Sequence, residues 1–257
     1  MSDFDRNAQV WGAGRAQTSA VEMDQGLRSF MLGVYNNMTI GLAITGLMAI
    51  GISMLAIAGY SPSGKVTALT PLGQALYLSP LKWVVMLAPL AFIFFFSFKA
   101  ESMSSSTARA MFFAFAAVMG ISLSSIFVVF TGESIAKVFF ITAASFAGLS
   151  LYGYTTKKSL SGMGSFLIMG LIGLVIASVV NIFLASSALS FGISVIGVLV
   201  FAGLTAWDTQ RLKEMYLYSD MDSESAAKLS VNGALSLYLN FVNMFQMLLS
   251  LFGSKQE

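Results

Sequence analysis

The chain has 257 residues, of which 56% are apolar and only 10% charged, and its net charge is +2. A soluble domain carries about 25% charged residues, so the composition is typical of a polytopic membrane protein and gives no sign of nucleic-acid binding. The chain has no cysteine and no histidine, which excludes disulfides, cysteine-ligated zinc and Ser-His-Asp catalysis. We expect no cofactor.

Residues 1–28 form a polar tail without the apolar core of a signal peptide, and we expect a mobile cytoplasmic extension. Seven apolar runs follow, each near the length of about 20 residues that spans a bilayer. In chain order they are Phe30–Ala58, Trp83–Phe98, Ala110–Phe130, Val138–Tyr154, Ser165–Ala185, Leu189–Trp207 and Gly233–Phe252. The longest connection, Gly59–Lys82, holds three of the four prolines and is predicted to form turns outside the hydrocarbon.

These runs predict an all-α membrane protein, a seven-transmembrane helix bundle over residues 29–253 with a short tail at 254–257. Loop charge gives its orientation, because cytoplasmic loops carry an excess of Lys and Arg. With the N-terminus inside, ten basic residues fall on the inner segments and four on the outer ones. The predicted topology is therefore a multi-pass inner-membrane protein with a cytoplasmic N-terminus and an outer C-terminus.

The last run has a polar face. Six polar residues, spaced by three or four positions, fall within a sector of about 120° of a helix. They are Asn232, Ser236, Asn240, Asn243, Gln246 and Ser250. Amides on a spanning helix need hydrogen-bond partners, so this helix is predicted to be buried. Two interpretations remain open: each amide bonds a neighbouring helix, or the face is hydrated and functional.

Asp208 follows the uncharged run Leu189–Trp207, on the same predicted helix face as Thr205. An ionised carboxylate inside a bilayer costs about 2.5 kcal/mol or more. The preceding 19 residues already cover about 28 Å, nearly the whole hydrocarbon. Asp208 is therefore either an interface residue with Arg211 as its i, i+3 partner, or a working group in the protein interior.

Two segments, Ala206–Lys213 (AWDTQRLK) and Ala234–Phe245 (ALSLYLNFVNMF), resemble the bacterial branch of the Bax inhibitor-1 family. The likeness extends over nearly the whole chain, including Phe115–Leu123 (FAAVMGISL) in the third run. It implies a seven-helix bundle with a central, polar seventh helix. Members of this family are described as pH-sensitive calcium-leak channels, in which aspartates of the sixth and seventh helices share a proton.

Asp208 matches the sixth-helix aspartate of the family, but the seventh-helix aspartate is Asn240 here. Asn cannot titrate, so these two residues cannot form a shared-proton pair. The resemblance makes Asp208 and Asn240 the candidate gate, with Thr205, Ser236, Asn243 and Gln246 as a polar pathway. A single carboxylate at Asp208 would be a weak Ca²⁺ site, because Ca²⁺ takes six to eight oxygen ligands. Lys99 and Arg211 are candidate basic partners.

Two functions follow from the resemblance. The first is a membrane protein that conducts Ca²⁺ or H⁺ across the lipid bilayer. The second is a non-conducting modulator or partner of a membrane-bound ATP-dependent protease, as some bacterial relatives are. We expect no enzyme, since intramembrane aspartyl proteolysis needs two membrane aspartates, and only Asp208 qualifies.

Overall fold

The computed structural model describes residues 3–61, 65–99, 102–219 and 221–256, with side chains from residue 23 onward except those of residues 96, 97 and 99. Within this part of the chain, nine helices and one two-stranded sheet follow each other. They are α1 (Asp3–Ala56), β1 (Ile57–Tyr60), β2 (Val66–Leu69), α2 (Pro71–Tyr77), α3 (Leu81–Lys99), α4 (Ser105–Leu123), α5 (Ile126–Val129), α6 (Gly132–Thr155), α7 (Ser161–Leu184), α8 (Ser187–Tyr218) and α9 (Ser223–Phe252).

Six helical segments of the described chain are long and apolar enough to cross a bilayer, with α4 and α5 together forming one of them. The helices α2 and α3, which bend by 62° at their junction, raise this number to seven if they count as one span. Pro71 starts α2 just after its N-cap, Thr70, where a proline is tolerated because the missing N–H has no partner in the first turn. Pro80 lies in the connection to α3.

The helices α8 and α9 are longer than the apolar runs that predicted them. They contain 32 and 30 residues, or about 48 and 45 Å at 1.5 Å per residue, against a hydrocarbon thickness of about 30 Å. Residues beyond Trp207 continue α8, and α9 begins ten residues before Gly233, where Asp222 caps it. Both helices therefore project beyond the hydrocarbon at the end where they are joined.

The third apolar run is interrupted. The helix α4 ends at Leu123 and α5 begins at Ile126, so the single span that hydropathy predicted, present as Ser105–Val129, contains a short break. Ser124 donates its hydroxyl to the Ile121 carbonyl at 2.6 Å, and Ser125 donates to the Ser122 carbonyl at 3.2 Å. Serine hydroxyls that bond backward to their own helix compete with its backbone ladder and bend it, which accounts for the break.

The loop predicted between the first two runs is ordered as the antiparallel β1–β2 hairpin followed by α2. The hairpin returns the chain to α1, where the Thr70 amide donates to the Ala56 carbonyl at 2.9 Å. At Gly73 a Cβ would overlap that same carbonyl group, so only glycine allows this close approach. The turn residues predicted that the chain leaves the hydrocarbon here, but they did not predict that β1 pairs with β2.

The C-terminal residues are tied to the same end of the bundle as the hairpin. The Gln256 side chain accepts from the Val66 amide at 2.9 Å and donates to the Phe127 and Phe130 carbonyls at 3.1 and 3.0 Å. The Ser254 amide donates to the Ser134 hydroxyl at 2.8 Å. These bonds connect the end of α9 to β2, α5 and α6.

The helix α9 packs against α1, α4, α6 and α8, and half of its most apolar stretch is buried, more than in any other span of the described chain. Its Tyr238 is fully buried and meets Phe112 and Phe115 of α4 edge-on. In contrast, α7 packs mainly on α8 and leaves most of its apolar residues exposed, among them Phe183 at 82%. Such a surface fits contact with lipid tails.

Candidate functional site

Asp208 lies on α8, ten residues before the end of the helix at Tyr218. The residue is 9% exposed, and among the residues whose side chains are described it is the only charged residue that is buried. A buried charge is costly unless other groups pair with it or donate hydrogen bonds to it. The groups around this carboxylate therefore determine how it is stabilised in the interior.

Asn240 of α9 donates from Nδ2 to Oδ2 of Asp208 at 2.7 Å, and both residues are buried. Of the described elements, α8 and α9 have the most extensive mutual contact, so the bond crosses the main helix pair of the bundle. A hydrogen bond from an amide N–H to an ionised carboxylate is charge-assisted and is stronger than one between neutral groups. The site thus contains one acid and one neutral amide at hydrogen-bonding distance.

The second oxygen of Asp208 faces a basic residue. Nη1 of Arg211 lies 3.9 Å from Oδ1, and the Arg211 side chain is 53% exposed. Its guanidinium also lies over the Trp207 ring, 5.2 Å from the centroid. An ion pair this exposed adds little stability, so Asn240 is the closer and stronger partner of the carboxylate. Both sequence interpretations of Asp208 describe part of this environment.

The other predicted polar residues are not joined to Asp208 by any hydrogen bond among the described side chains. Thr205 is fully buried and donates to the Phe201 carbonyl at 2.7 Å. Asn243 is half-buried and donates to the Leu239 carbonyl of its own helix at 2.8 Å. Ser236 and Gln246 are also half-buried on α9. A polar pathway through these residues stays a prediction.

The predicted basic partner Lys99 ends α3, but its side chain lies outside the described part of the chain. Within that part, no group of three or more acidic residues is placed to hold a metal ion. A cation at this point would meet one carboxylate, together with the amide oxygen of Asn240. That donor set is smaller than the six to eight oxygens of a Ca²⁺ site.

A chain of hydroxyl groups beside the acid was missed by sequence reasoning. The Tyr35 hydroxyl lies 2.6 Å from Ser150 Oγ, and Ser150 Oγ lies 3.0 Å from Thr209 Oγ1. Thr209 is the residue after Asp208 and donates to the Thr205 carbonyl at 2.8 Å. These bonds join α1, α6 and α8 at the level of the carboxylate. Helix periodicity does not reveal them, because it orders residues within one helix and not between distant helices.

A second polar contact joins α8 and α9 at the opposite end of their interface. Ser194 donates to Ser250 at 3.1 Å, fourteen residues or about 21 Å of helix from Asp208. Between the two contacts, Gly197 of α8 faces the side chain of Met247, which a Cβ there would meet at 2.9 Å. The interface is therefore polar near both ends and closely packed between them.

Comparison with known proteins places the chain in a group of membrane proteins. The family model described as inhibitor of apoptosis-promoting Bax1 matches residues 27–257. An uncharacterized protein of Caulobacter vibrioides is 46% identical over an alignment of 271 residues that covers 100% of both chains. Inner membrane protein YbhL of Escherichia coli K12 is 41% identical over 240 residues, covering 93% of this chain and 97% of that protein.

An uncharacterized membrane protein of Streptococcus pyogenes is 38% identical over 154 residues, or 60% of this chain and 66% of that protein. These relatives and the six apolar spanning segments make the chain a multi-pass protein of the inner membrane. The match of the family model to nine-tenths of the sequence confirms the resemblance seen in the two C-terminal segments. The chain belongs to the Bax inhibitor-1 family of integral membrane proteins.

Proposed function

We propose that this protein is a non-enzymatic cation-leak pathway of the inner membrane, with Ca²⁺ as the leading ion and Asp208 as its gate residue. The observation that carries the proposal is the buried Asp208 carboxylate, bonded to Asn240 on one side and facing Arg211 on the other. Ionisable groups within membrane spans are expensive and commonly mark ion pathways. The family resemblance points to the same residue.

In the closed state, the amide of Asn240 and the guanidinium of Arg211 occupy both oxygens of the acid. A passing cation would replace these two contacts with its own charge, so conduction requires α8 and α9 to separate locally at this level. Since Asn240 cannot take up a proton, the leak is not controlled by a proton shared between two acids. Any pH sensing would come from Asp208 alone.

We further propose seven spans with the N-terminus in the cytoplasm and α9 as the central, polar helix of the pathway. Support comes from the excess of basic residues at one end, ten against four. The packing of α9 on four other helices also fits a central position. In this arrangement Asp208 lies in the cytoplasmic half, and the hairpin and the C-terminal residues lie outside.

The test is ion flux in liposomes that contain the full chain and a calcium-sensitive or proton-sensitive dye. Asp208→Asn should lower cation flux about tenfold or more, because it removes the one negative charge at the gate and a factor of ten corresponds to only about 1.4 kcal/mol. Asp222→Asn is the matched control, since it removes a fully exposed carboxylate and keeps a good N-cap.

Equal flux through wild type and Asp208→Asn would remove Asp208 from the gate. An absence of calcium or proton flux at every pH would overturn the leak itself. If that absence came with co-purification of a membrane-bound ATP-dependent protease, the second function considered from the resemblance, a protease partner, would replace it.

A further inference from the structure

A cavity of about 350 Å³ lies between α1, α5, α6 and α9, in the half of the bundle away from Asp208. On α1 it extends from Leu42 to Ile50, and on α6 from Gly132 to Phe140. Its inner wall is formed by α9, with Phe241 and Phe245. The volume falls at the lower end of the range of about 300–1,000 Å³ that is usual for small-molecule sites.

The lining is apolar except for one hydroxyl. That hydroxyl, on Thr45, donates to the Ala116 carbonyl at 2.8 Å and lies 2.6 Å from the Tyr238 hydroxyl. Its hydrogen-bonding capacity is used within the protein, so no polar group in the cavity is left for a ligand. A water molecule is not stabilised in such a space, because a buried water needs two to four polar partners.

The cavity opens sideways, in the direction of the lipid. Ile50 and Phe140 line it and are 42% and 71% exposed. Gly46 also lines it, and a Cβ built at Gly46 meets none of the described atoms within 4 Å. The absence of a side chain at this position keeps the opening between α1 and α6 clear.

We infer that this cavity binds one acyl chain of a membrane phospholipid, which enters between α1 and α6. An empty apolar space loses dispersion contacts along its whole lining, and an acyl chain restores them without needing a polar partner. A protein helix does not fit, since a helix with side chains is about 10–12 Å across. Lipid tails surround the opening at this level of the bundle, so the chain enters without crossing water. The inference does not depend on ion conduction.

The test uses native mass spectrometry of the full chain released from nanodiscs of phosphatidylethanolamine and phosphatidylglycerol. Gly46→Phe fills the opening from α1, and Ala136→Phe fills the cavity from α6, so the result does not rest on the folding of one variant. Gly51→Phe is the control: it adds the same ring to α1, also into open space, at a position that does not line the cavity.

Wild type and Gly51→Phe should retain one phospholipid that both filled variants lose, with at least a fivefold drop in the lipid-bound fraction. The mass of the adduct separates a phospholipid from a free fatty acid. An equal lipid-bound fraction in all four proteins would overturn the inference, as would an adduct that is only a free fatty acid.

A second readout locates the chain. A reporter tryptophan introduced by Phe127→Trp, with Trp11, Trp83 and Trp207 replaced by Phe, lies in the lining. Phospholipids brominated on the acyl chain should quench it, and adding Gly46→Phe should reduce the quenching at least twofold. Quenching that is the same with and without Gly46→Phe would contradict a chain inside the cavity.

Discussion

The Tyr238 hydroxyl of α9 lies 2.6 Å from Thr45 Oγ1 of α1 inside the bundle. Because the single proton of Thr45 is donated to the Ala116 carbonyl of α4, the tyrosine must be the donor in this pair. Three helices are thus joined at one point by two directed hydrogen bonds. The ring of Tyr238 packs edge-on against Phe112 and Phe115, which leaves it one orientation.

The direction of these bonds predicts that substitutions at Tyr238 and Thr45 lower the stability of the protein by unequal amounts. Tyr238→Phe leaves Thr45 still bonded to Ala116 and should cost about 0.5–1.5 kcal/mol of unfolding free energy. Thr45→Val leaves the hydroxyl of a fully buried tyrosine without an acceptor, so it should cost about 1–3 kcal/mol of unfolding free energy. Thermal unfolding of the purified protein in one detergent measures both. The double variant should cost less than the sum of the two single costs. Full additivity would argue against the hydrogen bond between the two hydroxyls.

Asn240→Asp tests the same contact by changing the α9 partner of Asp208. It places a second carboxyl at hydrogen-bonding distance from Asp208, and two carboxyls this close share one proton and titrate as a coupled pair. The pH dependence of liposome flux should therefore differ from that of the wild type, which has one acid at this point. The isosteric control Asp208→Asn combined with Asn240→Asp returns one acid and one amide with their positions exchanged. A pH profile of Asn240→Asp identical to that of the wild type would contradict the contact.

The approach of α6 to α8 depends on Gly153. A Cβ at this position would overlap the carbonyl of Ala206, two residues before Asp208. Gly153→Ala should lower the unfolding free energy by about 1–3 kcal/mol, the usual range for overpacking. It should also lower the ion flux. Gly148→Ala on the same helix is the control, because a Cβ there meets none of the described atoms within 4 Å. Equal unfolding temperatures for the two variants would mean that the helices are not in close contact.

Asp222 gives a prediction on pH. Hydrogen bonds from the hydroxyl and the amide of Ser225 lower the pKa of Asp222 below its ordinary value of 3.8. Its stabilisation of α9 is therefore present above about pH 4 and is lost as the pH falls through the lowered pKa. Asp222→Ala should lower the unfolding temperature at pH 7, and the difference should shrink in strong acid. Asp222→Asn should keep its cap at both pH values, and a wild-type advantage over Ala that persists in strong acid would contradict the assignment.

The lack of any cysteine makes the topology directly testable. Ser159 lies between α6 and α7, and Thr67 lies on β2 at the other end of the bundle; both are exposed. A membrane-impermeant thiol reagent applied to intact spheroplasts should label Thr67→Cys and leave Ser159→Cys unlabelled until the cells are lysed. The reverse pattern would place the N-terminus outside, and labelling of both would mean that the cell membrane was leaky.

The sequence predicts the helices well because a span in lipid must satisfy its backbone internally and be apolar over a fixed length. The sequence does not predict structural features that have a cause other than hydropathy. The third run is one span, as predicted, but the hydroxyls of Ser124 and Ser125 interrupt its helix between α4 and α5, which hydropathy does not show. The apolar runs stop at Trp207 and start at Gly233, whereas α8 continues to Tyr218 and α9 begins at Ser223, since hydropathy marks the part of a helix in lipid and not the whole helix.

At the site, the resemblance named Asp208 and Asn240 together, and spacing alone gave only the polar face of each helix. Nothing in either helix specifies the partner that its polar face meets, so the Asp208–Asn240 bond required the tertiary structure. Tyr35 and Ser150 were not predicted because single hydroxyls in apolar runs look the same whether or not they bond across helices. Their relation to Thr209 depends on the packing of α1 and α6 on α8.

The bonds made by Gln256 have a practical consequence for handling this protein. Proteolysis that removes Gln256 eliminates its three side-chain bonds to Val66, Phe127 and Phe130. Reporter proteins and purification handles therefore belong away from Gln256. A preparation that has lost Gln256 would differ from the intact protein in the corner where the hairpin, α5 and α6 meet.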